Sequence, residues 1–171
     1  MTKFIGALLL IAAGAGMGVA KTRQLHFRVR SLSSILGSLE IMRGEICTRL
    51  TPLPELFLQL AAEAPGPADE FFSALKTGLT GLGERSLGEI WYQALEDTPS
   101  LVLKPEEERA LYLFGMSLGR FDVAEQKQAI DRCMESMGRF LETARGEAQA
   151  RGRLYTGLGL ALGMMLAVVL L

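Results

Sequence analysis

Residues 21–50 read KTRQLHFRVRSLSSILGSLEIMRGEICTRL. Apolar side chains fall at Leu25, Val29, Leu32, Ile35 and Leu36, Leu39, Met42, Ile46 and Leu50. With 3.6 residues to a turn, steps of three and four put them on one stripe of an α-helix. Directly before this stretch, residues 4–20 are a run of 17 uncharged residues, and no Gly-Pro break separates the two. The spacing therefore predicts one long helix that leaves a hydrophobic segment and turns a single face inward. The far end mirrors it. Val123, Ile130, Cys133 and Met134, Met137, Phe140 and Leu141, Ala144 and Ala148 keep helical spacing, and residues 154–171 are a second uncharged run, of 18.

Between these long helices the chain is punctuated by helix breakers. Thr51, Pro52, Leu53, Pro54 and Glu55 end the first helix, because a residue before proline is pushed out of the helical region. Thr51 is expected to cap the next helix, with Pro52 at its first position and Glu55 near its positive end. That helix turns Leu53, Leu56, Phe57 and Leu60 inward and stops at Pro65-Gly66-Pro67. A third carries Phe71, Phe72, Leu75 and Leu79. Ser86 and Glu89 have capping-box spacing and open a fourth, with Ile90, Trp91, Ala94 and Leu95. Pro105 starts a fifth along Leu111, Phe114 and Leu118, ended by Gly119, and Asp122 caps the sixth. No alternating strand pattern of useful length occurs.

The fold expected is all-α: a six-helix bundle with long antiparallel first and last helices continuing into transmembrane segments at both termini. Residues 1–20 form the first membrane helix, 21–153 a helical-bundle domain and 154–171 the second membrane helix. At 1.5 Å per residue each segment covers about 25–27 Å, against roughly 30 Å of hydrocarbon. Flanking Lys and Arg can snorkel to close the gap. Small residues at Gly14 and Gly18, and at Gly159 and Gly163, have the spacing that lets membrane helices approach closely, within one subunit or in a homo-oligomer.

Charge orients the chain. Residues 21–30 carry Lys21, Arg23, Arg28 and Arg30 and no acid, and residues 145–153 carry Arg145, Arg151 and Arg153 against Glu147. Residues 31–144 hold 10 basic and 18 acidic residues. An acidic body behind a basic collar is the wrong layout for nucleic acid, which needs a basic face on the body. Basic residues beside both hydrophobic runs place the domain on the cytoplasmic side of the cell membrane. The alternative reading takes the first run, with Gly18-Val-Ala20, as a cleaved signal peptide and the rest as an exported, tail-anchored helical binding domain.

The sequence offers little for catalysis. His26 is the one histidine, and Cys47 and Cys133 are the two cysteines, too few for the usual zinc sites. No phosphate-binding GxxxxGK[ST] motif, HExxH or ExxH is present. Glu106, Glu107 and Glu108 are the densest acidic run, but acids favour a helix's first turn on electrostatic grounds alone. The expectation is a protein that is not an enzyme, with no catalytic residue, metal, cofactor or small-molecule substrate.

Two short motifs carry a resemblance. A long first helix with Glu45-Ile46 shortly before Thr51-Pro-Leu-Pro-Glu55, then Leu118-Gly119-x-x-Asp122-x-x-x-Gln126, resembles the stage III sporulation protein AB family of endospore-forming bacteria. The hydrophobic ends and the length also match that family. The resemblance implies a scaffold of the channel between mother cell and forespore. It also implies a cytoplasmic domain similar to that of the type II secretion F proteins. Its implied partners are other channel subunits and a cytoplasmic ATPase, stage III sporulation protein AA. The motif residues are then candidate partner contacts. The first helix spans roughly 45 Å from residue 21 to residue 50, so the Thr51 to Glu55 corner is expected at the membrane-distal end, within reach of a cytoplasmic partner.

Overall fold

The computed structural model describes residues 2–118 and 123–170; of these, the side chains of 2–11, 14, 15, 123 and most of 153–170 are outside the described set. Among the described residues the chain is all-helical. The helices are α1 (Thr2–Gly44), α2 (Leu53–Glu63), α3 (Ala68–Gly78), α4 (Leu87–Glu96), α5 (Pro105–Ser117) and α6 (Val123–Leu170). No strand forms among these residues; one isolated bridge pairs Leu82 with Arg85. The chain divides into two compact units, Met1–Val29 with Thr143–Leu171, and Arg30–Glu142.

In the unit Arg30–Glu142, the expected α1 stripe is the core face: Leu32, Ile35, Leu39, Met42 and Ile46 are all buried. From α6, Ile130, Cys133, Met137 and Leu141 are buried at the expected spacing. Trp91 of α4 is the centre of an aromatic cluster. Its ring lies 4.9 Å from Phe71, 5.4 Å from Phe114 and 6.0 Å from Phe57, the first two edge-to-face. Its indole N–H donates to the Leu111 carbonyl at 3.0 Å, so the one polar atom of a fully buried ring is satisfied. Gly115 makes room for that ring. A Cβ there would sit 1.9 Å from the Trp91 Cδ1. Ser86 and Glu89 form the expected capping box. Glu107 is wholly buried and accepts from the Lys104 N–H at 2.7 Å, which gives one member of the acidic run a structural task.

Arg43 pairs with Asp131 between α1 and α6 of this unit. In the unit Met1–Val29 with Thr143–Leu171, Thr22 meets Gly152 and Arg28 meets Glu147. In that unit the contacts step forward along α1 and backward along α6, so the two helices run antiparallel there. Arg28, one of the basic collar residues, is buried: its side chain is 8% exposed and it bonds Glu147 at 2.8 Å. Glu147 is the one acid of the collar, and a charge this buried needs a partner.

Among the described residues no helix is long and apolar enough to cross a membrane. The expected spans, 4–20 and 154–171, fall mostly on residues whose side chains are outside the described set. So do Gly14, Gly159 and Gly163. Gly18 is buried, and its carbonyl lies 2.9 Å from the Thr22 hydroxyl, which is also 3.1 Å from the Gly152 carbonyl. Thr22 thus lies close against Gly152, one helical turn past Gly18 and about two turns before Gly159. A Cβ on Gly152 would touch the Thr22 methyl at 3.2 Å.

Candidate functional site

The corner after α1 is built around Glu45. Here the helix widens into a π-helical turn, Glu45–Arg49, and Leu50 closes it in the left-handed conformation at φ 55°. Such turns are rare and recur at functional sites. The Glu45 carbonyl accepts from the Leu50 and Thr51 N–H groups, the latter at 3.2 Å. Its carboxylate accepts from Arg49 and from the Thr51 hydroxyl, each at 2.7 Å. One residue thus ties both ends of the corner. Ile46, its neighbour in the motif, is buried and anchors the turn in the core.

Two expectations are corrected here. Thr51 does not cap α2; Pro52 is the N-cap residue and no side chain caps it. The Thr51 hydroxyl has a charged acceptor in Glu45. Pro52 and Pro54 also lack N–H groups, so the helix start has fewer donors to satisfy. Leu50 does not continue the apolar stripe but is 66% exposed. The π turn inserts an extra residue and the left-handed closure swings the side chain to solvent. Glu55 is exposed in the first turn of α2, as its charge favours.

Leu53 and Pro54 are half-buried and open onto a groove of about 450 Å³. Its other walls come from Leu82, Ser86 and Leu87 at the start of α4 and from Leu118 after α5. Leu82 is 46% exposed at the mouth, and Arg85 supplies the basic edge. Leu118, buried at 2% exposure, opens the second motif and lies under the groove, so residues of both motifs line it although 65 positions separate Leu53 from Leu118. Gln126 is half-buried on α6. Gly119 and Asp122 lie outside the described residues. Sequence spacing alone could not join the two motifs, because that contact is tertiary.

Chemistry for catalysis is thin among the described residues. No group of three His, Cys, Asp or Glu side chains could hold a metal ion. His26 is exposed. Cys133 is buried, and desolvation pushes its thiol up to about 12, so it stays protonated. Cys47 is half-buried beside Arg43 and Lys127.

The fold and the site define an all-helical protein with long first and last helices and a corner groove lined by residues of two sequence motifs. The chain belongs to the stage III sporulation protein AB family, whose sequence model matches residues 3–171. The match takes in both hydrophobic ends as well as the helical middle, and the membership gives the chain a sporulation-related role. Comparison with curated proteins and with solved structures returns no match.

Proposed function

We propose that this chain is a non-enzymatic membrane scaffold of the mother cell–forespore channel. Two terminal helices hold it in the membrane, and its helical body lies on the cytoplasmic side. The body docks a partner at the corner groove, and by family resemblance that partner is the companion ATPase, stage III sporulation protein AA. The observation that carries the reading is the meeting of Leu53 and Pro54 with Leu118 in one half-open apolar groove. Leu82, 46% exposed at the groove, adds apolar surface that a partner could cover. Membrane attachment rests on the uncharged runs at 4–20 and 154–171 and on the basic residues beside them.

A photoreactive amino acid at Leu82 in sporulating cells tests the docking surface. The expected product is a crosslink to the companion ATPase. Absence of that product, while the same probe at exposed Ala62 yields it, refutes the assignment of the groove. Thiol labelling of Ala62→Cys in a background lacking Cys47 and Cys133 tests orientation. Labelling only after lysis agrees with a cytoplasmic body, and labelling of intact cells with an impermeant reagent contradicts it.

A further inference from the structure

A second surface lies on the outer face of α4 and α5. Tyr92 and Tyr112 stack edge-to-face with ring centroids 5.4 Å apart, and both are exposed, 45% and 36%. Both rings thus keep part of their surface in solvent, beside each other. Glu96 follows Tyr92 by one turn, and Glu108 precedes Tyr112 by one turn. Their carboxylates, Glu96 first and Glu108 after it, hold the Tyr92 hydroxyl above its ordinary range, so the rings sit in a negative field. The same two glutamates line a groove of about 320 Å³ that is mostly polar at its surface, with Leu95, Leu101 and Val102 among its walls. None of the groove's described lining residues is basic. The basic residues nearest in sequence are Lys104 and Arg109.

Each part answers a different part of one side chain. Tyrosine faces attract a cation. Two carboxylates match the planar fork of a guanidinium better than a point ammonium. The apolar walls from Leu95, Leu101 and Val102 can take the methylene stem that leads to such a group. We propose that the Tyr92/Tyr112 face is a docking site for an arginine-bearing segment of a partner protein, separate from the corner groove. It does not rest on the groove reading, and a chain with two such faces could bridge two proteins.

The test uses the full chain in detergent micelles and a fluorescein-labelled peptide of four Arg-Gly repeats, with fluorescence anisotropy as the readout. The control peptide carries citrulline, the neutral isostere of arginine. The arginine peptide is expected to bind at least tenfold more tightly than the citrulline peptide. Tyr92→Ala with Tyr112→Ala weakens it at least fivefold, whereas the paired Tyr→Phe changes, which keep both rings, leave it within twofold. Glu96→Gln with Glu108→Gln weakens it at least fivefold. Glu63→Gln with Glu84→Gln removes the same charge from other exposed positions and leaves binding within twofold. Equal loss from that control pair reduces the effect to net charge and overturns the proposal. So does indifference to the Tyr→Ala pair, or equal binding of both peptides. If the Tyr→Ala pair instead abolishes self-association of the chain without peptide, the occupant is a second copy, and the proposal fails in that way too.

Discussion

Gly115→Ala should destabilise the protein, against the rule that alanine beats glycine inside a helix. Gly115 lies within α5, where helix propensity alone favours alanine by about 1 kcal/mol. The added methyl, however, would stand 1.9 Å from Cδ1, 2.3 Å from Cγ and 2.5 Å from Nε1 of Trp91. Those are rigid ring atoms, not the end of a flexible chain. Trp91 is held from other sides by Phe57, Phe71 and Phe114 and has nowhere to retreat. Overpacking of this kind costs about 1–3 kcal/mol. Moving the indole also loosens its bond to the Leu111 carbonyl, worth about 1 kcal/mol. After the propensity gain the net loss is roughly 1–3 kcal/mol, and each kcal/mol lowers Tm by about 2–4 °C for a chain of this size. Trp91 is the single tryptophan, so denaturant unfolding followed by its fluorescence reads the affected site directly. Gly138→Ala is the matched control: nothing lies within 4 Å of a Cβ there, and a gain of up to about 1 kcal/mol is expected. The reasoning is refuted if Gly115→Ala is as stable as the parent with Trp91 emission unchanged.

Three further perturbations address the corner, the helix pair and the thiols. Glu45→Gln loses the charge that Thr51 and Arg49 share and should cost about 1–2 kcal/mol in chemical denaturation, while Glu55→Gln, exposed, costs less than about 0.5 kcal/mol. Arg28→Met removes a buried ion-pair partner of Glu147 and should lose about 1–3 kcal/mol; the double change Arg28→Met with Glu147→Leu should recover part of that loss in a double-mutant cycle. In the native chain a thiol reagent at pH 8 should label Cys47 and spare Cys133 until the protein unfolds. The Cys133 thiol also sets a pH trend. Its folded value of about 12 exceeds the ordinary 9.0, so its contribution to stability is full below about pH 9. Above that the unfolded chain gives up the proton and the folded chain keeps it, so stability should fall toward pH 12, and less so in Cys133→Ala.

The helices were legible because their signals are local. The α1 stripe from Leu32 to Ile46, the Ser86 and Glu89 box and the α6 spacing from Ile130 to Leu141 each follow from periodicity or a cap within a few residues. The misses sit where distant or exceptional geometry decides. Leu50 kept the step of four, but a π turn shifted its register, and no residue pattern announces such a turn. Thr51 has the right chemistry to cap α2, yet a carboxylate six residues back took its hydroxyl. The corner motif was visible as a helix break. That it shares a groove with Leu118 depends on how α2, α4 and α5 pack, which spacing does not encode. The Tyr92 and Tyr112 pair was likewise hidden, since two single tyrosines 20 residues apart carry no joint signal.

The claim that the corner groove is the docking surface is tested most directly by affinity. The purified full chain in micelles is titrated with the companion ATPase, stage III sporulation protein AA, and compared with Leu53→Glu. Leu53 is half-buried at the groove wall, so the change puts a charge on the docking surface without emptying the core. The account predicts at least a tenfold loss of affinity with helical circular dichroism and Tm near those of the parent. Unchanged affinity in a folded Leu53→Glu protein would contradict it.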